Sequence, residues 1–268
     1  MILTWKVTNL QFDTVLYLTL QGRRRVAADQ HATVLKRWDH ADSPSALVEY
    51  ICSILLDNSL ISNHPLKHLS CWIVPDEKGN PVSCSNLDLP APGFIRVSLY
   101  EFVGNSALAP GDPGNKLAQT LDTAIRETGC VEFFNQYIGC LLFDWLVLNG
   151  HRSLHSTAFD LCKGCSPRMV PLFGFDHSFA QLLLDPSLSL AGARRSQKCQ
   201  PFGTAQIAAI QRQLPGITLI VNATKALSQL DLNSYSCFYS EETLARLSGI
   251  LKAIFLPSFH LGRLIEVV

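Results

Sequence analysis

The sequence predicts an α+β chain in two parts: a small β-rich lobe with one helix over residues 1–103, and a larger helical lobe over residues 104–268. Three observations predict it. Short apolar runs of strand length fill the first hundred residues, with one segment of helical period among them. A loop marked by Gly104, Pro110, Gly111, Pro113 and Gly114 then interrupts the chain. Beyond it the apolar period is mostly helical. A chain of 268 residues with 47% hydrophobic content can bury roughly 70–75% of its extended surface, which excludes global disorder.

The elements follow in order. Val15-Leu16-Tyr17-Leu18-Thr19-Leu20 reads as a strand ended by Gly22, and Ala32-Thr33-Val34-Leu35-Lys36-Arg37-Trp38 as another. A helix starts near Asp42-Ser43-Pro44-Ser45, with Ser43 as cap and Pro44 at the first position. Leu47, Tyr50, Ile51, Ile54 and Leu55 share one face of it. Residues 69–75 and 81–84 flank Glu77-Lys78-Gly79-Asn80, a hairpin signal. Past the loop, Leu117–Thr128 reads as a helix ended by Gly129, and Val131–Leu148 as a long, nearly all-apolar and therefore buried helix. A strand–turn–strand is expected at 158–173, and helices at 204–214, 222–229 and 241–256.

Composition narrows the function classes. The 22 basic and 22 acidic residues leave no net charge, which argues against a coat on nucleic acid, whose affinity is built from excess Lys and Arg. The first residues, Met1-Ile2-Leu3-Thr4-Trp5-Lys6, lack the basic-then-apolar pattern of a signal peptide. The most apolar stretch, Tyr137–Leu148, is interrupted by Asp144 and falls short of the ~20 residues that a membrane span needs. The expectation is a cytoplasmic protein with no membrane partner. Nine scattered cysteines then read as free thiols. The basic runs Arg23-Arg24-Arg25 and Arg194-Arg195 read as solvated surface.

The order of a small β-rich lobe, one helix, then a helical lobe is the order of protein kinases. Lys36 on a strand and Glu49 on the following helix, thirteen residues on, are spaced for the ion pair that orients a kinase lysine on ATP phosphates. The plainer reading is an exposed lysine and a solvated glutamate. After the long apolar helix comes Leu148-Asn149-Gly150-His151-Arg152-Ser153-Leu154-His155-Ser156-Thr157-Ala158-Phe159. About twenty residues later comes Val170-Pro171-Leu172-Phe173-Gly174-Phe175-Asp176-His177-Ser178-Phe179. A buried helix, a polar loop, a hairpin and a second polar loop are how a kinase presents its catalytic and metal loops.

These two segments resemble the HipA-like kinases, relatives of the phosphatidylinositol kinases. That family's catalytic loop reads N-x-D-R-H-x-x-N-F-G and its metal loop P-L-F-D-x-x-x-S. Asn149, Arg152 and Phe159 match in the first, and Pro171, Leu172, Phe173 and Ser178 in the second. Residues 81–84 and 95–102 resemble the region that connects that family's lobes, so the likeness covers about residues 30 to 260. It implies a bilobal, protein-kinase-like fold that takes ATP with Mg²⁺, with Lys36 and Glu49 on the nucleotide.

The departures fall on the chemistry. His151 stands where the resemblance puts the catalytic aspartate, beside the matching Arg152. Ser156 stands at the metal-binding asparagine, Gly174 at the metal-binding aspartate, and Ser153 at the histidine after Arg152. Gly22-Arg23-Arg24-Arg25 is the only candidate phosphate loop, and it lacks the glycine pattern. Serine is a poor Mg²⁺ ligand and glycine offers no side chain. Asp176, two residues past Gly174, could substitute as a metal ligand, and His151 could act as a base. The plainer readings are a turn residue bonding its own backbone and a loop histidine without a role.

A separate pattern is His151, His155, Cys162 and Cys165, spaced H-x3-H-x6-C-x2-C. Such residues suit a tetrahedral zinc site, but the spacer is short and the order reversed. In the kinase reading Cys162-Lys163-Gly164-Cys165 is a turn between strands. The expected function is therefore a pseudokinase: a nucleotide-binding or regulatory module, with Mg²⁺ disfavoured and the protein partner unknown. An active divergent kinase acting on protein Ser or Thr is the first alternative, and a zinc-stapled interaction domain the second.

Overall fold

The computed structural model describes residues 44–75, 79–86, 88, 90–104, 112–197, 201–203, 205–256 and 264–268 in full, and the backbone of three strands before them. Those strands are β1 (Asp13–Thr19), β2 (Gly22–Ala28) and β3 (Thr33–Arg37). The two expected strands are present, and β2 is an additional one. Gly22-Arg23-Arg24-Arg25 accordingly lies in a strand, paired along its length with β1 and at Arg25 also with β3, and is not a phosphate-binding loop.

Helix α1 (Ser45–Asp57) starts where the Ser-Pro signal placed it, although Pro44 occupies the cap position itself and gives no side-chain bond. Ser43 lies outside the described residues. After α1 come the short strands β4 (Ser59–Ile61) and β5 (His64–Pro65), then the expected hairpin of β6 (Cys71–Pro75) and β7 (Pro81–Asn86), closed with Pro75 opposite Pro81. The first sheet runs β1-β2-β3-β7-β6 and is antiparallel throughout.

Next come β8 (Ile95–Ser98) and the short helix α2 (Leu99–Val103). Helix α3 (Pro113–Thr128) starts on an Asp112 cap that accepts from Gly114 and Asn115 N–H, and ends on Gly129 at φ 70°. A left-handed residue is needed to turn the chain there, and glycine takes that conformation without strain. Helix α4 (Phe133–Leu146) is the long buried helix. The strands β9 (Ala158–Leu161) and β10 (Arg168–Met169) complete the strand–turn–strand and join β8 in a second sheet, β10-β9-β8.

The chain continues through α5 (Ala180–Leu184), α6 (Leu190–Ser196), α7 (Gln206–Gln213), β11 (Leu219–Val221), α8 (Ala223–Ser228), α9 (Glu241–Ile254) and β12 (Ile265–Val267). Helices α7, α8 and α9 fall within the expected ranges. The third sheet, β12-β11-β4-β5, draws both strands after α7 onto the pair that follows α1. One buried apolar cluster reaches from Leu47 to Ile265 and joins α1, α3, α4, α7 and α9. The architecture is mixed α+β. Among the described residues no helix is long and apolar enough to cross a membrane.

Candidate functional site

The site is built on Asp144. It lies on the mostly apolar α4 with its side chain 2% exposed, and a buried carboxylate must be met by donors. Arg152 meets it with both edges of its guanidinium, Nε to Oδ2 at 2.7 Å and Nη2 to Oδ1 at 3.0 Å. Asn149 Nδ2 donates to Oδ1 at 2.7 Å, and the Cys140 thiol lies 3.7 Å from Oδ2. Two family-matching residues of the first loop are thus fixed to the helix before it. Burial alone would make the Arg152 charge harder to keep. The Asp144 charge outweighs that and raises its pKa further, so the guanidinium stays protonated.

The same two residues hold the second loop. Arg152 Nη1 donates to Phe173 O at 2.7 Å, and its guanidinium lies over the Phe175 ring, 4.6 Å from the centroid. Asn149 Nδ2 also reaches Gly174 O at 3.2 Å. Further back, the backbone of Lys67 and Leu69 brackets Leu172. Each loop carries one non-glycine residue in the left-handed region, Leu148 at φ 57° and Phe179 at φ 59°. Phe179 N–H donates to Val147 O at 2.9 Å, so the two strained residues lie on one seam. Such conformations persist only where the surroundings enforce them, and they cluster at functional sites.

The loops therefore converge, and they bring several predicted residues together. His151 is exposed, and its ring packs against that of His177 at 4.3 Å between centroids, tilted by 30°. His177 Nε2 lies 3.4 Å from Asp176 Oδ2. Asp176 does stand in a turn, where Ser178 N–H donates to Phe175 O. Its carboxylate is nevertheless buried, unlike that of a surface turn residue. Gly174 sits at φ 79° and contributes its carbonyl only. The Ser156 hydroxyl is occupied locally: it donates to Ser153 O at 2.7 Å and accepts from Ser153 N–H at 3.1 Å, capping the short 3-10 helix Leu154–Ser156.

Helix α1 lies against both the first sheet and the second loop. Glu49 is 2% exposed and accepts a 2.8 Å bond from the Ser83 hydroxyl, so the reading of a solvated helix glutamate is overturned. Ser83 on β7 is the register partner of Lys36 on β3, and directly opposed positions in an antiparallel pair share a face of the sheet. The Lys36 side chain lies outside the described residues. One turn after Glu49, burial pushes the Cys52 thiol up. Ser178 of the second loop opposes part of that shift, and the charges of Glu49 and Asp144 add to it. Cys52 thus marks where α1, α4 and the second loop meet.

The pairing of Asp144 with Arg152 is what sequence reasoning missed. Its signal was a lone carboxylate inside an apolar helix, followed by Asn149 and Arg152, because acidic residues are almost never fully buried unless paired. The tetrahedral set is not assembled. His155 packs against Tyr100 at 4.2 Å between ring centroids while His151 packs against His177, and among the described residues no three His, Cys, Asp or Glu side chains are grouped to hold a metal.

No family model and no curated protein matches the chain. Among solved structures it is similar to the Helicobacter pylori proinflammatory kinase CtkA. The TM-score is 0.54 at 11% identity, over 90% of this chain and 91% of that one. A likeness at that identity speaks for a kinase-like fold and leaves activity to the site residues.

Proposed function

We propose that this chain is a degenerate kinase of the HipA-like type, divided near residue 104 into two lobes, that binds nucleotide or a protein partner without efficient phosphoryl transfer. One observation carries the reading: the framework that holds the two loops is complete, while the positions that should supply chemistry are diverted. Asn149 and Arg152 are locked onto Asp144, yet the Ser156 hydroxyl caps its own turn and Gly174 offers only a carbonyl.

Magnesium fits these residues poorly. It favours carboxylate and phosphate oxygens in near-octahedral geometry, and of the three metal-loop positions only Asp176 supplies a carboxylate. ATP would rest on Lys36, oriented by Glu49, whose burial beside Ser83 supports that role.

An active divergent kinase is favoured by one specific feature, the buried Asp176 beside the packed rings of His151 and His177. The deciding experiment is thermal unfolding with ATP, with and without magnesium, alongside transfer of labelled phosphate to a protein substrate. A stabilisation by ATP without transfer supports the pseudokinase. Robust magnesium-dependent transfer, lost in Lys36→Ala, overturns it.

A further inference from the structure

Cys162 and Cys165 lie three residues apart, closer in the chain than any other two described cysteines. Cys52, Cys84, Cys130 and Cys140 are buried, Cys71 is half-buried and Cys237 is exposed elsewhere in the chain. Cys165 is exposed, Cys162 partly so, and the two are not bridged. They occupy the ends of a tight turn between β9 and β10, closed by Cys165 N–H donating to Cys162 O at 3.1 Å. Gly164 sits at φ 78°, as the third residue of a type II turn requires.

That geometry brings two thiols together at a distance a disulfide can span. The first and fourth residues of a β-turn have Cα atoms under about 7 Å apart, and disulfides bridge Cα separations of roughly 4.4–6.8 Å. Lys163 and Gly164 form the centre of the turn between them. The Cys162 S–H donates to Lys163 O at 3.8 Å, and hydrogen bonding to Cys165, with slight desolvation and the Cys165 charge, pushes the Cys162 thiol up.

We infer that Cys162 and Cys165 form a reversible dithiol–disulfide site at the tip of the β9–β10 hairpin, open to low-molecular-weight disulfides. In the first step the exposed Cys165 thiolate attacks a sulfur of the small disulfide. A mixed disulfide forms and one small thiolate leaves. Cys162, once deprotonated, attacks the Cys165 sulfur and expels the second small thiolate. The protein loses two electrons and two protons, and the small disulfide becomes two thiols.

The test equilibrates the full chain in buffers of oxidised and reduced glutathione, traps free thiols by alkylation and digests with trypsin without reduction. Cleavage after Arg152, Lys163 and Arg168 separates the two cysteines onto peptides 153–163 and 164–168. The expected product in oxidising buffer is these two peptides joined, with the link lost as reduced glutathione rises. In Cys162→Ser, Cys165 is expected to persist as the mixed glutathione disulfide. Both peptides alkylated at every ratio, or either cysteine joined instead to another such as Cys237, overturns the proposal.

Discussion

Arg152 and Asp144 form a two-pronged ion pair in which both side chains are at most 2% exposed, eight residues apart and on opposite sides of a loop junction. The pair closes the end of α4 onto the loop that follows. Through Phe173 O it also reaches the second loop. Removing one member leaves the other charge buried alone, which costs about 3–5 kcal/mol. Arg152→Ala and Asp144→Ala are each expected to lose that much in urea unfolding. The double variant Asp144→Leu/Arg152→Met is expected to lose less than either. A single variant within about 1 kcal/mol of the parent would contradict a locked junction.

Ser156 separates a capping role from a metal role. Ser156→Ala is expected to cost about 1 kcal/mol, as for other caps, and to leave ATP affinity unchanged. If the variant instead weakens ATP binding in calorimetry while stability holds, the hydroxyl serves the ligand.

The nucleotide prediction turns on Lys36 and Asp176. ATP is expected to raise the melting temperature of the parent, and Lys36→Ala to abolish that rise without lowering the unliganded midpoint. Chelating magnesium is expected to change ATP affinity less than about tenfold, roughly 1.4 kcal/mol. A collapse on chelation that disappears in Asp176→Ala would identify Asp176 as a working metal ligand and favour the active kinase.

Asp160 carries a pH signature. It is buried between Arg96, at 2.8 Å, and Arg168, and Asp88 bridges the same two arginines. Burial alone would raise its pKa, but the two guanidinium groups outweigh that and lower it. A carboxylate with a depressed folded pKa adds stability above its unfolded pKa of about 3.9 and loses it as pH falls through the folded value. Asp160→Asn is therefore expected to cost about 1–3 kcal/mol at pH 7. The gap from the parent should narrow below about pH 4. A gap that is constant from pH 7 to pH 3 would rule out the ion pairs as its source.

Gly139 lets α4 approach β4. A Cβ there would meet Leu66 Cδ2 at 2.5 Å and Ile61 Cβ at 3.2 Å. Alanine favours helices by about 1 kcal/mol over glycine, yet overpacking costs about 1–3 kcal/mol. Gly139→Ala is expected to destabilise the chain on balance, and a rise in melting temperature would show that the seam is loose.

Much of this was legible in the residues themselves. The periods of α1, α3, α4 and α9, the β6–β7 hairpin and the Gly129 stop are local features, set by side-chain spacing and turn chemistry over a few residues. So was the convergence of the two loops, because a hairpin over 158–173 returns the chain to its start. The sequence could not show that Glu49 is buried against Ser83, that β12 and β11 join β4, or that Asp144 is the residue on which Asn149 and Arg152 close. Those are contacts between segments distant in the chain or across a loop, and burial is a property of what packs around a residue. The same carboxylate is a solvated charge on an open helix and an anchor in a closed one, and only the tertiary packing of α1, α4 and the loops decides which.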